Sequence, residues 1–550
     1  MIQLGIAAFF HDSAACIVKD GKVIGAVEEE RFTEVKHDYS FPYNSISWLL
    51  KENNLKLNDI DEVCWYENPK IKRDRVLSIF NKRWFKTLNL RINYLLSYNK
   101  NNPIKILKKL GYNGPIKYTE HHLSHAAFSY FTSPFNEAAI LTVDGVGEWE
   151  TITISYGKGN KINKKFSIDY PNSLGMLYST ITAYLGFKPN EGEYKVMGLA
   201  PYGNSKKYIT KLRKVFKNTS NKFTIDQKYF DWEYSNKKMF NKYLFRLLGI
   251  LPRLPEEEVT QEHKDLAASL QKVYEEQFLK LVNTASKLTK SDNLVLGGGC
   301  AYNGVANSKA YKYFKHIHIP FAPSDAGSAI GTCLFNYEGD KKGNTDPFLG
   351  PEYSDKEVKK ELNKFKNIKY LKLSEEKIIQ KTASLINSGN IVAWFQGKME
   401  FGARALGNRS ILATPLDSKM RTKLNYVIKK REGFRPFAPS VMKGEDTKWF
   451  KVYEDIPYMN QVVQAKNKDK FPSATHVDGS CRVHTVTFNQ NKKYYKLLKE
   501  LKNISKYGVV LNTSFNLKDQ TITMTPKQAI QRYINSDIDY LIINNYLIYN

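Results

Sequence analysis

Short apolar runs broken by polar turns open the chain. IQLGIAAFF reads as a strand, and AACIV and VIGAV read as two more, joined through Asp20-Gly21. An Asp-Gly pair between two such runs favours a two-residue hairpin turn, because both positions tolerate positive φ. The start is therefore expected to be a strand, a His-Asp loop and a hairpin. Basic, aromatic helical or loop material is expected up to about residue 115. A second set follows. The His and Ala spacing of 118–131 suits a helix start, and 137–162 reads as strand, turn and strand. Both sets run apolar strand, acidic-glycine turn, apolar strand, which predicts a duplicated α/β unit with a cleft between the copies.

Apolar residues recur every three or four positions across 257–287, the period of a long amphipathic helix. Residues 292–312 read as strand, glycine turn and helix, and 316–337 as strand, loop and helix. The polar, Gly- and Pro-containing stretch 337–357 places a domain boundary near 350. The expected domains are 1–350 and 351–550, with the last segment of the second open to packing back on the first. That second region mixes strands, glycine turns and arginines, and ends with a helix starting near Thr525-Pro526.

At 550 residues with 42% hydrophobic positions, the chain can build two or more cores. The N-terminus has no basic leader, and no run of about 18 uncharged apolar residues occurs. The five cysteines are odd in number and scattered, which argues against a disulfide framework. These features predict a cytoplasmic protein without a membrane partner. Net charge is +28, but Lys and Asn are spread through many loops rather than gathered into one aromatic-laced stripe. Phosphate-bearing small substrates on a Lys-rich background explain this better than a nucleic-acid partner.

Three constellations carry chemistry. His121 and His125 share a helical face, and Asp144 and Asp325 stand beside small residues at element ends. Together they make a plausible N2O2 set for iron, manganese or zinc, with two satisfied histidines on an ordinary helix as the alternative. Gly145 and Gly147, and Gly298 and Gly299 with Asn303, are candidate phosphate nests. Tight strand-to-helix turns are the plainer reading. His11 could relay the proton of an acceptor hydroxyl and Lys36 could hold developing negative charge, or both are surface polar residues. Arg404, Arg409, Lys429, Arg431, Arg435 and Arg482 lie on glycine- and proline-fixed loops, a pattern that suits an oxyanion pocket. Asn512, Thr513, Ser514 and Asn516 either bind ligand or cap the next element.

The strings GIAAFFHDSAACIVKDG, EEERFTEVKHD, EHHLSHAAFSYF, YKVMGLAPYG, LGGGCAYNGVAN, PSDAGSAIG, FGARALGNRSILA, GFRPFAPSV and LNTSFN appear in order along nearly the whole chain. Together they resemble the carbamoyltransferase family of nodulation-factor and antibiotic-tailoring enzymes. The resemblance implies a duplicated actin/Hsp70-like (Kae1-like) N-terminal module joined to an α+β YrdC-like C-terminal module. It implies that the second module makes carbamoyl adenylate from carbamoyl phosphate and ATP. The first would then hand the carbamoyl group to a hydroxyl of a small natural product or saccharide.

It also implies roles residue by residue. His121, His125, Asp144 and Asp325 would hold Fe(II), with Mn or Zn as alternatives and Mg accompanying ATP. His11 and Lys36 would act on the acceptor side. Arg404, Lys429 and Arg435, with Arg482 and Asn512, would line the donor pocket. Gly298 and Gly299 would be part of the nucleotide cradle, to which the glycine-turn reading adds Gly145, Gly147 and Asn303. Two positions depart from the family pattern: Ala403 replaces the proline of G-P-R-A-L-G, and Leu517–Gln520 replaces G-E-P-I. A tRNA threonylcarbamoyl-modifying enzyme and a non-catalytic ATP-binding module are the competing readings. Oligomeric state stays open, a homodimer included.

Overall fold

A computed structural model describes residues 1–82, 84–219, 222–235, 238–341 and 343–549, with the side chains of 81–90 outside the description. The chain forms two compact units, Met1–Ala26 with Tyr39–Thr345, and Val27–Asp38 with Asp346–Asn550. The expected break near residue 350 did not provide for the assignment of 27–38 to the second unit. That segment takes Lys36 with it.

The first unit is built on two five-stranded sheets. One contains β1 (Ile2–Ala7), β2 (Ala14–Lys19), β3 (Lys22–Glu28), β4 (Glu62–Trp65) and β5 (Ile116–Tyr118), in the order β3-β2-β1-β4-β5. The other contains β6 (Glu137–Val143), β7 (Glu150–Lys158), β8 (Lys161–Asp169), β9 (Asn293–Gly297) and β10 (His316–His318), in the order β8-β7-β6-β9-β10. In each, the first strand pairs antiparallel with the second and parallel with the fourth, and the fourth pairs parallel with the fifth. The duplication expected from the patterning is therefore real at the level of topology, and the fold is mixed α/β. The first hairpin turns through Asp20 at φ 49° and Gly21 at φ 76°, as the Asp-Gly pair predicts. Strand β4 escapes pattern reading. Its four residues show no alternation, and all are buried by pairing with β1 and β5.

Three helices position the site. They are α1 (His121–Phe131), the long α2 (Gln261–Thr289) and α3 (Asp325–Asn336). Helix α3 packs on α1 and on β1 and β2. At the crossing, a Cβ on Gly331 would lie 1.9 Å from the Ser124 carbonyl oxygen, so only glycine permits this approach. The close crossing brings the first turn of α3 beside His125.

The second unit centres on an eight-stranded mixed sheet. Its strands are β11 (Lys369–Lys372), β12 (Val392–Phe395), β13 (Arg409–Ala413), β14 (Ala438–Met442), β15 (His484–Val486), β16 (Val509–Ser514), β17 (Tyr540–Ile543) and β18 (Tyr546–Tyr549). Their order is β11-β18-β17-β12-β13-β16-β14-β15. Both faces are buried. Val392 and Trp394 face α4 (Glu375–Asn387) and α5 (Lys492–Ser505), while Ala393 and Phe395 face the core that includes α6 (Pro526–Ile534). Helix α6 starts where the Thr-Pro signal predicts. Thr525 and Gln528 form a capping box, and Pro526 occupies the first turn.

On the α4–α5 face the apolar cluster gives way to a polar one. The Asn512 amide donates to Ser440 Oγ at 3.1 Å. The Ser440 hydroxyl, 2.9 Å from His484 Nδ1, is left to donate to that nitrogen. Burial pushes His484 down to about 3. The unfolded chain takes up a proton below about pH 6.5 that the folded chain refuses until about pH 3, so stability is lost as pH falls through that window, by about 1.4 kcal/mol per pH unit. His484→Gln is expected to be less stable than the parent at pH 7.5 and more stable below pH 5. Urea unfolding of both proteins across this range is the measurement, and parallel pH profiles would contradict the assignment.

Candidate active site

Four ligand-type side chains from three distant stretches meet inside the first unit. His121 and His125 lie one turn apart on α1, Asp144 follows β6, and Asp325 opens α3. His121 Nε2 is 2.9 Å from Asp144 Oδ2 and 3.1 Å from His125 Nε2. His125 Nε2 is 3.4 Å from Asp325 Oδ1 and 3.5 Å from Asp144 Oδ2, and His121 Nε2 is 3.6 Å from Asp325 Oδ1. All four residues are at most 3% exposed.

The donors fit a small divalent cation. Ligands about 2.1 Å from one ion are separated from each other by about 3.0–3.4 Å in octahedral or tetrahedral arrangement, and the separations here run from 2.9 to 3.6 Å. Among the described residues neither carboxylate oxygen of Asp325 has a hydrogen-bond partner, although both are buried. A buried carboxylate left in that state costs several kcal/mol unless positive charge offsets it. The remaining polar groups hold the donors in place. His125 Nδ1 is 3.0 Å from Ser328 Oγ, and Asp144 Oδ1 accepts from the Gly299 amide at 3.0 Å. Glu148 accepts the His121 backbone N–H at 2.9 Å and the Asn68 N–H at 2.6 Å, taking the role of N-cap for α1. The hydrogen bonds from both histidines, against the effect of burial, hold Asp144 well below the usual carboxylate range. Burial would lower His125, but Asp144 and Asp325 overcome it and raise the imidazole to about 9.

His11 stands next to this cluster, with Nε2 3.9 Å from Asp325 Oδ2 and Nδ1 3.1 Å from Asp12 Oδ2. Its loop is strained, with Phe9 at φ 72° and Asp12 at φ 50°, conformations that non-glycine residues hold only when the surroundings impose them. Burial opposes charge on His11, but Asp325, Asp12 and Asp144 raise it to about 10. His122 points away, 3.3 Å from Thr153 Oγ1, and burial with the neighbouring His121 keeps it well below the ordinary imidazole value.

The glycine turns serve the cluster more directly than they serve a phosphate. Gly298 has φ 83°, and a Cβ there would lie 2.3 Å from the Val143 carbonyl oxygen. The turn can therefore pass beside the end of β6 and aim the Gly299 N–H at Asp144. The Gly147 N–H donates to the Glu150 carbonyl at 2.8 Å, so it is not directed at an anion. Space around Gly145 is open. Asn303 caps a short helix through Ala306 N and exchanges amide hydrogen bonds of 3.1 Å with Gln271.

The second unit holds a cationic counterpart. Burial, then the charges of Arg404 and Arg435, push the Arg482 guanidinium well below its ordinary value. Arg404 and Arg435 are thus close enough for their charges to be felt at Arg482, and Arg435 Nη1 also lies 3.7 Å from Glu432 Oε2. Lys429 is turned onto the loop after β16, donating to the Ser514 carbonyl at 2.5 Å, the Asn516 carbonyl at 2.9 Å and Asn516 Oδ1 at 2.8 Å. Burial and the nearby Arg431, Arg435, Lys36 and Arg532 depress it strongly. Lys36 therefore keeps company with Lys429, while His11 belongs to the first unit. Arg409 departs from the pocket reading. It is fully buried, stacks 3.7 Å from the Phe395 ring centre and donates to the carbonyls of Gln396, Asn408, Pro351 and Gly397. Asn512 braces the Ala405 carbonyl and Ser440 from beneath the Arg404 loop. Pattern reading missed Glu148 and Ser328, because their contacts cross many residues of intervening chain.

Comparison with known proteins bears on the assignment. The family profile described as Carbamoyltransferase N-terminus matches residues 2–334, and Carbamoyltransferase C-terminus matches 383–550. The chain is 38% identical to an uncharacterized protein of Synechocystis sp., over 99% of this chain and 96% of that one. It is 32% identical to the nodulation protein NolNO of Sinorhizobium fredii, over 98% of this chain and 79% of that one. It is also 32% identical to the 3'-hydroxymethylcephem-O-carbamoyltransferase of Streptomyces clavuligerus, over 47% of this chain and 48% of that one. Among solved structures, component A of the Acidaminococcus fermentans (R)-2-hydroxyglutaryl-CoA dehydratase aligns with TM-score 0.31 and 14% identity, covering 62% of this chain and 98% of that one. Matched over residues 2–334 and 383–550 by the two profiles and along almost its full length by two of these relatives, this chain belongs to the carbamoyltransferase family.

Proposed function

We propose that the chain is an ATP-dependent O-carbamoyltransferase acting on a hydroxylated small molecule. The observation that carries this reading is the opposite polarity of two sites in one chain. The first unit sets two buried carboxylates, Asp325 without a hydrogen-bond partner among the described residues, against two imidazoles, and the second brings the charges of Arg404 and Arg435 to bear on buried Arg482. One site suits a cation, and the other suits the oxyanions of phosphate and carbamate.

The atoms balance as follows. Carbamoyl phosphate loses phosphate to water and leaves carbamate. A carbamate oxygen attacks the α-phosphorus of ATP, and pyrophosphate leaves. The acceptor hydroxyl attacks the carbonyl carbon of the resulting carbamoyl adenylate, and AMP leaves. Arg404, Arg435 and Arg482 bind the phosphate and carbamate oxygens and offset their charge as the adenylate forms. Lys429 holds the Ser514–Asn516 loop against this pocket, and Lys36 adds positive charge beside it. In the first unit, His121, His125, Asp144 and Asp325 would hold a divalent cation, with Fe(II) the reading taken from the family. The chemistry such an ion supplies when bound is Lewis acidity toward a carbonyl oxygen. His11, whose Nδ1 lies 3.1 Å from Asp12, would present Nε2 to the acceptor hydroxyl as base once a cation offsets the Asp325 and Asp144 charges that otherwise favour the protonated ring. The chain around Gly298 and Gly299 borders the adenylate. No helix among the described residues is long and apolar enough to cross a membrane. A hydroxymethyl group is the acceptor that the name of one relative, 3'-hydroxymethylcephem-O-carbamoyltransferase, suggests, with a saccharide hydroxyl as the alternative implied by the sequence resemblance.

Two experiments test the division of labour. Arg404→Ala is expected to cut pyrophosphate release dependent on carbamoyl phosphate by about 100-fold, the scale of one lost charge-stabilising donor. His121→Ala is expected to leave that release within about threefold while stopping carbamoyl transfer. Loss of pyrophosphate release in His121→Ala would sink the assignment. Elemental analysis of the purified protein is the second test. The parent should carry about one divalent metal per chain, and Asp325→Ala should retain under a tenth of it, since one lost ligand weakens binding at least about tenfold.

A further inference from the structure

The loop that carries Arg404 is anchored at both ends by carboxylates. A single oxygen, Glu400 Oε1, accepts the backbone N–H groups of Leu406 at 2.7 Å, Asn408 at 2.8 Å and Arg409 at 3.1 Å. At the other end, Glu28 Oε1 accepts the Gly402 N–H at 2.8 Å. Arg31 Nη2 bonds the same Glu28 oxygen at 2.9 Å and donates to the Gly402 carbonyl at 3.0 Å. Both polar atoms of the Gly402 peptide positions are therefore held by one ion pair. Glu28, Arg31 and Glu400 are each at most 5% exposed.

Between these anchors the Asn512 amide holds the Ala405 carbonyl at 3.1 Å. Gly402 at φ 108° and Gly407 at φ 101° occupy a region that L side chains rarely adopt, so the backbone has no steric preference of its own there. Position 403 is an exposed alanine, with no ring to lock φ. The conformation that presents the Arg404 side chain is thus set by hydrogen bonds that converge on two carboxylates.

We propose that Glu400, with the Glu28–Arg31 pair, positions Arg404 by clamping the loop Gly402–Asn408 at both ends, so that the guanidinium is already in place when the donor's phosphate or carbamate oxygens arrive. This rests on the assignment of Arg404 to the oxyanion pocket. It also gives the segment 27–38 a purpose within the second unit: it supplies one half of the clamp. Glu400 touches no substrate and acts through the loop.

A double-mutant cycle on the full chain tests this. Glu400→Ala should lower kcat/KM for carbamoyl phosphate, read as pyrophosphate release with ATP saturating, by about 100-fold, the cost of displacing a positioned group by about 1 Å. Glu400→Gln keeps an oxygen for the three amides and should stay within about fivefold of the parent. Glu400→Asp keeps the charge but draws it back by one methylene, so it should fall with Glu400→Ala; it also serves if the alanine variant does not fold. In an Arg404→Ala background, Glu400→Ala or Glu400→Asp should cost less than about threefold more, because the group it positions is gone. A full additional loss in that background would overturn the positioning role, as would an Asp variant as active as the parent. If Arg404→Ala alone leaves turnover unchanged, the pocket assignment itself fails, a result distinct from additivity in the cycle.

Discussion

The buried carboxylate of Asp325 is the constraint around which the first unit is arranged. Both of its oxygens lie in the interior without hydrogen-bond partners among the described residues. Such a group is tolerated only where positive charge stands close, and here two imidazoles and Asp144 form a ring of donors beside it. The surrounding architecture is organised to keep that ring small. Glycine at 331 lets α3 sink onto α1, glycine at 298 lets the turn after β9 pass beside β6, and Glu148 holds the first amide of α1. Each of these positions fixes a donor atom, and none of them contributes a donor itself.

The second unit solves the opposite electrostatic problem in a related way. The charges of Arg404 and Arg435 disfavour the buried Arg482 cation, and the backbone that carries Arg404 has an external hold. Buried glutamates supply that hold by accepting peptide N–H groups, as Glu400 does for three and Glu28 does for Gly402. Arg409 and Lys429 look on paper like further pocket residues, but their donors are turned onto backbone carbonyls. A cationic side chain in such a loop can therefore serve as scaffold or as ligand. The deciding fact is whether main-chain oxygens already saturate its N–H groups.

Charge across the whole chain is consistent with this division. The excess of +28 is carried by Lys and Arg spread over many elements, so it does not mark one face as a binding surface. The chemically informative charges are the few buried ones. Their values move because burial penalises charge and neighbours either offset or worsen that penalty, as with Asp144 held low by histidines and Lys429 depressed among cations.

The sequence by itself determined the local elements and the duplication. The Asp20-Gly21 hairpin, the long helix α2, the Thr525 capping box and the two strand-turn-strand sets all follow from periodicity and turn chemistry, which act over a few residues. The i, i+4 spacing of His121 and His125 also marked half of the metal-type cluster. Tertiary structure alone decided the rest, because the deciding contacts span tens to hundreds of residues. It brought Asp144 and Asp325 to the same ring, assigned Lys36 and the Glu28–Arg31 pair to the second unit, and turned Arg409 inward. It also buried β4, whose four residues carry no pattern of their own. No local rule reports which carboxylate will find which amide, since that pairing exists only once the chain has closed around it.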